Sequence, residues 1–451
     1  MSTPPQVFFD QHPEIEALEA FIVDVNGVLR GKVIPRDGSG KVFKEGLRVP
    51  YSIYAVDIWG QDVLGAGLIE ETGDNDGICR AVPGSLHRVP WGERRGAQVL
   101  LSMTDTKGKP FFGDCRHVLK KVLDLYTKKG LTPVVAAELE FYLLDNKPDE
   151  TGCPQPPTFP RTGRRLRAPQ TLSISELEEF GGVLADIDAF CDAQGVPADA
   201  AISENGPGQY EINLNHVPDA LQAADHATML KRAVRGAARK HGMDATFMAK
   251  LYGDKSGSGM HVHFSVIDKK GNNIFAGKDG KGTPALRYAI GGLMRSMPDC
   301  TAVFAPNFNS YRRFAVGSHA PTSVSWGYDN RLAALRVPAS DLAATRIEHR
   351  VPGADANPYL ALAVMLAGAY DGIVNKIDPG KPFTGNVYAS GAKRLPSTWE
   401  DALGAFEKSK FIAKYIGRDF QKLYLACKRQ EKEQLERQVS SLEYDAYLRD
   451  V

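Results

Sequence analysis

Hydrophobic and polar positions change their rhythm along this chain. The first hundred residues run in short apolar stretches broken by turn formers: 20–25 ahead of Asn26-Gly27, 28–34 ahead of Pro35, and then 98–103. Short apolar runs bounded in this way predict strands, and Asn-Gly between two of them predicts a hairpin, so this part reads as a small sheet built from hairpins. From Gly113-Asp114 the period lengthens. Over 116–129, Val118, Leu119, Val122 and Leu125 fall on one face of a helix. A domain boundary is placed there, dividing the chain into 1–112 and 113–451.

Beyond the boundary, 133–144 predicts a strand, and 145–170, rich in Pro, Gly and Arg, predicts a loop. The stretch 173–193 reads as helix, 200–214 as two strands joined at Gly206-Pro207-Gly208, and 219–240 as a long helix. Helices and antiparallel hairpins in separate blocks indicate an α+β fold. The tail, 401–451, is mostly helical, and its charged tract 428–437 reads as a solvated helix face. The basic cluster Arg161, Arg164, Arg165 and Arg167 reads as a solvated loop face and is given no chemical role.

Composition narrows the function classes. At 451 residues the chain is too long for one small core, and 43% hydrophobic with 24% charged residues is ordinary for a globular protein. A net charge of +1 with interspersed signs argues against a nucleic-acid partner. Six scattered cysteines without a CxxC pair predict neither a disulfide framework nor a zinc knuckle and suit a reducing cytoplasm. The N-terminus carries no basic segment followed by an apolar one, and no apolar run approaches bilayer length, so neither secretion nor membrane insertion is expected.

The candidate chemistry sits on strands. In Glu138-Leu139-Glu140 a period of two puts both carboxylates on one face. Taken alone, such a pair suits an exposed face. Glu204 and Glu211 bracket the turn between two predicted strands, which brings two more carboxylates together, and His261-Val262-His263 offers two imidazoles on one face. In Arg346-Ile347-Glu348-His349-Arg350, Arg, Glu and Arg alternate on one side. Four strand segments each presenting carboxylate or imidazole form a funnel for hard cations, Mg²⁺ or Mn²⁺ rather than zinc. Arginines 313, 331, 336, 346 and 350 add the anion clamps of phosphoryl transfer, which points to ATP. No GxxxxGK[ST] loop and no kinase HRD motif is present, so another architecture must hold the nucleotide.

In order along the chain, Ala136-Ala137-Glu138-Leu139-Glu140-Phe141, Glu204 to Glu211, Gly257-Ser258-Gly259-Met260-His261-Val262-His263, Asn309-Ser310-Tyr311-Arg312-Arg313, Asn330-Arg331 to Arg336 and Arg346-Ile347-Glu348 resemble the glutamine synthetase family. Each motif is weak alone; six in order are specific. The resemblance implies that Glu140, Glu204 and Glu211 hold a first metal ion at the acceptor carboxylate, and that Glu138, His261 and Glu348 hold a second on the ATP phosphates. It further implies phosphate contact by His263, ATP contact by Arg346, charge neutralisation by Arg331 and Arg336, and glutamate binding by Ser256, Gly257, Arg313 and Arg350. A β-grasp-like N-terminal domain and a homo-oligomer are implied as well, a dodecamer of two stacked hexameric rings with active sites between subunits.

The sequence also departs from the family pattern. Glutamine synthetases proper carry a glutamate in the loop after the N-S-Y-[KR]-R segment that helps bind ammonium and take its proton; His319 stands there. The family's Phe-Asp-Gly-Ser-Ser segment is missing, with Val56-Asp57-Ile58-Trp59-Gly60 its nearest counterpart, so Asp57 is the candidate for that carboxylate. Ser256 replaces a usual asparagine. Exchanging a carboxylate for an imidazole weakens the hold on a small cation while leaving a proton acceptor. The resemblance therefore leans to the branch that makes γ-glutamyl amides of polyamines or monoamines from glutamate and an organic amine. An ammonium-dependent glutamine synthetase and a catalytically silent homologue remain the alternatives. The amine is expected to enter past the loop around His319 and Trp326, with a neighbouring subunit's Asp57 segment beside it.

Overall fold

The computed structural model describes residues 4–169, 171–278, 280–315, 317–449 and 451, so Met1, Ser2 and Thr3 of the N-terminal reading lie outside the described residues. Two sheets organise the chain. The first takes β1 (Ala17–Val23), β2 (Leu29–Pro35), β3 (Leu47–Pro50), β4 (Asp76–Ala81), β5 (His87–Val89) and β6 (Gly96–Thr104) in the order β2-β1-β6-β4-β3, with β5 on β6. The hairpin expected at Asn26-Gly27 joins β1 to β2, with Gly27 at φ +77°. Hairpins alone do not build this sheet, because β1 and β6 run parallel in its middle. A parallel neighbour distant in sequence leaves no turn signal, which is why the apolar pattern missed it.

The second sheet takes β7 (Leu131–Asp145), β8 (Ala198–Ser203), β9 (Gln209–Leu214), β10 (Met243–Thr246), β11 (Met260–Asp268), β12 (Trp326–Tyr328), β13 (Leu335–Val337) and β14 (Ile347–His349). Its order is β12-β13-β14-β11-β7-β9-β8, with β10 also on β7. All pairs are antiparallel except β12 with β13. The long central β7 is flanked by β11 and β9, so its outward side chains face both neighbours' functional residues.

Helices pack behind this sheet. Asp114 caps the helix Cys115–Lys128 by accepting from the Arg116 amide at 2.9 Å, and Asp219 caps Ala220–Lys240 through the Leu221 and Gln222 amides. On the first of these, Val118, Leu119, Val122 and Tyr126 are buried; Leu125, expected on that face, is only half-buried because Tyr126 takes the inward position. The region 173–193 forms two helices, Ile174–Glu179 and Gly181–Ala193, rather than one. Helices Pro284–Phe304 and Pro358–Asn375 lie backbone to backbone. A Cβ on Gly292 would stand 2.1 Å from the Gly368 carbonyl oxygen, so only glycine permits that approach.

The charged tract at 428–437 corrects the sequence reading. It lies on the helix Arg418–Glu436, but Lys428 and Glu431 are each 1% exposed and pair at 2.9 Å. Glu431 also accepts from Asn26 Nδ2 and from the Ile58 amide, both at 2.9 Å. A buried ion pair thus ties the last long helix to the first hairpin. The loop arginines follow expectation in part: Arg165 pairs with Asp145 at 2.9 Å and Arg161 with Glu179 at 2.5 Å. All six cysteines are free, and no described helix is long and apolar enough to cross a membrane.

Candidate active site

Strand register assembles the site. Across β7 and β11, His261 stands opposite Glu138; across β7 and β9, Glu211 stands opposite Glu140 and Asn213 opposite Glu138; across β11 and β14, His263 stands opposite Glu348; and across β13 and β14, Arg336 stands opposite Glu348. Alternate residues share a face, so these pairings bring acids, imidazoles and a guanidinium onto one side of five adjacent strands. They line a cavity of about 850 Å³, of a size that takes a nucleotide and small substrates.

Two tight donor groups form in it among the described residues: Glu138, His261 and Glu348, and Glu140, Glu211 and His261. In each, the ligand atoms lie within 4.8 Å of one another. His261 is shared, with Nδ1 3.6 Å from Glu138 Oε2 and Nε2 3.8 Å from Glu140 Oε1. Carboxylate-rich donors with one imidazole, largely buried, fit hard divalent cations. Glu204 lines the same cavity but joins neither group, because it sits beyond the end of β8 at the hairpin turn.

The acids divide electrostatically. Burial pulls the Glu138 carboxyl upward, but hydrogen bonding and charge from His261 and His263 outweigh it and hold the group well below the usual carboxylate range. Glu348 is likewise desolvated, yet Arg350, the two histidines and Arg336 bring it down to about 2. Burial and the charge of Glu140 raise Glu204 to about 7, and burial with three neighbouring carboxylates raises Glu211 well above its ordinary value. A cation would offset the repulsion that these two acids feel.

Neighbouring groups fix the acids in place. Glu140 Oε2 accepts from the Gly259 amide at 2.8 Å and from Gln209 Nε2 at 3.3 Å, and Glu138 Oε1 accepts from Asn213 Nδ2 at 3.0 Å. Gln209, Glu211 and Asn213 alternate along β9, so the period that placed Glu211 in the cavity also placed the other two; the sequence reading passed over that signal. Gly257 has no room for a side chain, since a Cβ there would lie 2.5 Å from the Ala249 carbonyl oxygen.

The cationic side is equally ordered. Arg336 Nη1 donates to Glu348 Oε2 at 2.8 Å, and Arg346 Nε to His263 Nδ1 at 3.0 Å. Arg313 is 4% exposed and donates to the Val351 and Arg350 carbonyls, with no carboxylate within 4.0 Å among the described residues. The Arg350 Nε is buried without a partner. Such guanidiniums are arranged to receive an external anion.

Fifteen of the sixteen residues singled out from sequence line this cavity: Glu138, Glu140, Glu204, Glu211, Ser256, Gly257, His261, His263, Arg313, His319, Arg331, Arg336, Arg346, Glu348 and Arg350. Asp57 does not. Its carboxylate is fully buried elsewhere: Oδ1 accepts from the Trp59 and Gln61 amides, and Oδ2 from Gln430 and Gln434. That is an Asx turn pinned by the C-terminal helix, a role that a lone Asp in a loop does not reveal. Trp326, expected near the entrance, is fully buried in the core instead. The rim holds Leu172, 69% exposed at φ +59°, and His319, exposed at φ +60°. Leu172 gave no signal in sequence, because an apolar residue in a loop has no period.

Comparison with known proteins agrees with this geometry. Residues 112–447 match the family model described as glutamine synthetase, catalytic domain. The chain is 41% identical over 443 residues to the gamma-glutamylputrescine synthetase PuuA of Escherichia coli (strain K12), covering 98% of this chain and 94% of that one. It is 33% identical to a glutamate--isopropylamine ligase of a Pseudomonas species, covering 98% and 96%. A glutamine synthetase of Pyrococcus horikoshii is 33% identical over 94% of this chain and 91% of its own. Among solved structures, a GmaS/ADP complex superposes with a TM-score of 0.83 at 27% identity, covering 98% of both chains.

Proposed function

The chain belongs to the glutamine synthetase family and has its fold, and from that membership we propose an ATP-dependent ligase that joins the γ-carboxylate of glutamate to an organic amine. The observation that carries this reading is the cavity itself, in which two carboxylate–imidazole groups face Arg313, Arg331, Arg336 and Arg350. Relatives named for putrescine and isopropylamine favour an organic amine over ammonium, and so does an imidazole, His319, at the rim.

In this reading Glu138, His261 and Glu348 hold one divalent ion, and Glu140, Glu211 and the nearby Glu204 a second, Mg²⁺ or Mn²⁺, which neutralise phosphate charge during transfer. His263 and Arg346 contact the ATP phosphates. Arg313 and Arg350, with Ser256 and Gly257, hold glutamate so that its γ-carboxylate oxygen attacks the terminal phosphorus and ADP departs. Arg331 and Arg336 stabilise the phosphoryl group in passage. The amine nitrogen then attacks the carbonyl carbon of γ-glutamyl phosphate, phosphate leaves, and His319 accepts the proton released from nitrogen.

The unit boundaries 1–112 and 113–451, with a β-grasp-like first unit, complete the proposal. So does a dodecamer of two hexameric rings in the cytoplasm. Exposed Ile58, Trp59 and Leu64 in one loop, and Leu442, Tyr444 and Leu448 at the C-terminus, supply apolar surface for subunit contacts. Asp57 itself is too enclosed to act in a neighbour's site, so that contact falls to the exposed side chains beside it.

The test is phosphate release from ATP with glutamate and Mg²⁺, comparing ammonium with monoamines, diamines and polyamines at matched concentration. Strong stimulation by one organic class supports the proposal. Preference for ammonium would make the chain a glutamine synthetase with a replaced base, and no amine-dependent turnover at all would make it a silent homologue.

A further inference from the structure

A second charged cavity lies apart from the catalytic one. About 300 Å³ in volume, it is bounded by Gly27 and Leu29 of the first hairpin, Pro358, and Thr228, Lys231, Arg232, Arg235 and Arg239 of the helix Ala220–Lys240. It shares no lining residue with the catalytic cavity. At 3.6 residues per turn the four cations fall within about a third of the helix circumference. Lys231, Arg235 and Arg239 follow one another at intervals of four, a like-charge spacing that destabilises a helix. Among the described residues no carboxylate lies within 4.0 Å of these three, and only Glu19 pairs with Arg232.

Aromatic rings hold the cations by their faces. Arg232 lies over Phe21 and Trp91, with its carbon 5.1 and 5.5 Å from the ring centres, and Arg235 and Lys231 lie over Phe247 at 5.3 and 5.6 Å. Trp91 is pressed on the helix so closely that a Cβ on Gly236 would come within 2.4 Å of it. Ring stacking fixes a guanidinium plane but leaves its N–H edges free. The Arg232 Nε is buried without a partner, and among the described residues the only hydrogen-bond acceptor at the Lys231 ammonium is the Ala356 carbonyl oxygen, at 3.1 Å. Burial and the charge of Arg235 push that lysine down to about 7, a cost that an anion in the cavity would remove.

We propose that this groove is a binding site for a phosphate group, free or carried by a nucleotide. Guanidiniums and an ammonium lining one cavity match a tetrahedral oxyanion, and the cavity volume admits a phosphate with a small substituent. The rings are already covered by cations, so recognition rests on the phosphate rather than on a stacked base.

The experiment is equilibrium dialysis of the full chain with labelled inorganic phosphate at low ionic strength. The Arg331→Ser/Arg336→Ser variant, which weakens phosphate contacts in the catalytic cavity, should retain the groove's phosphate. The Arg235→Ser/Arg239→Ser variant, altering two exposed side chains, should lose at least tenfold in affinity for it while keeping amine-dependent turnover. Lys231→Met supplies a second variant with the same expected loss. Displacement of the labelled phosphate by ADP in the Arg331→Ser/Arg336→Ser background assigns the site to nucleotide phosphate, and resistance to ADP assigns it to the free ion. Unchanged phosphate binding in both groove variants, or no bound phosphate in the Arg331→Ser/Arg336→Ser variant, overturns the proposal.

Discussion

Glu138 and His261 are direct cross-strand partners, with Oε2 and Nδ1 3.6 Å apart, and the same imidazole reaches Glu140 from its other nitrogen. One histidine therefore bridges two acidic groups that would otherwise repel, and the site is built at a cost in stability. Glu211 shows that cost most clearly, since burial and three carboxylates oppose its ionisation. Glu211→Gln is expected to raise the melting temperature of metal-free protein by a few degrees, while reducing the Mg²⁺-induced rise and lowering turnover at least 100-fold. Thermal scans with and without Mg²⁺ check this. A fall in metal-free stability would show that the acid is needed for folding rather than for the metal.

Protons should leave when the metal arrives. Glu204, at about 7, is mostly protonated at pH 6 and mostly ionised at pH 8 in the metal-free protein, and a divalent cation favours the ionised form. Apparent Mg²⁺ affinity should therefore rise with pH across this window, by up to about tenfold per unit for each proton displaced. Calorimetry in buffers of different ionisation enthalpy reads the proton count directly. Affinity that is flat between pH 6 and 8 would contradict the assignment.

Much of the site was legible because strands advertise it. Glu138 with Glu140, and His261 with His263, obey a period of two, and register does the rest. Asp57 fell outside the cavity for the opposite reason: its loop carries no period, and nothing local distinguishes a buried Asx-turn carboxylate from a catalytic one. Trp326 was misplaced because β12 is only three residues long, too short for alternation to show which way it faces. The parallel pairing of β1 with β6 was equally invisible, because their connection spans most of the first sheet. Lys428 and Glu431 looked like surface since their partner, Asn26, lies about four hundred positions away.

That buried pair makes a prediction for stability. Lys428→Met leaves Glu431 enclosed without its cation and should cost about 3–5 kcal/mol, whereas Lys428→Met/Glu431→Leu should recover part of the loss. Urea unfolding of the two variants and of Glu431→Leu completes the cycle. A loss in the double variant equal to the sum of the two single losses would mean that the pair is not coupled.

Acid should act through His349. This imidazole is fully buried against Phe304, ring centres 4.7 Å apart, and burial pushes it down to about 3. The unfolded chain, near 6.5, takes up the proton first. Folded stability contributed by this residue is therefore complete above about pH 6.5 and falls as pH drops toward 3, by about 1.4 kcal/mol per unit. His349→Gln removes that proton from the balance, so its stability should decline less steeply over the same range. Parallel slopes in denaturant titrations at several pH values would exclude the effect.

Amine choice should depend on Leu172. Its backbone is held at φ +59° by its amide, which donates to the Ser203 carbonyl at 2.9 Å, and the next amide donates to Ser203 Oγ at 2.8 Å. Both bonds pin an exposed leucine to the end of β8, one residue before Glu204, with Ile202 lining the cavity beside it. A branched residue in left-handed backbone is strained, and an exposed apolar side chain gains nothing from water, so contact with a substrate carbon chain is the expected compensation. Leu172→Gly relieves the backbone and removes the contact. At about 0.8 kcal/mol per buried methylene, kcat/KM for a four-carbon amine should fall about tenfold while that for methylamine changes little. A uniform loss across chain lengths would instead mean that the leucine shapes the loop and does not touch the amine.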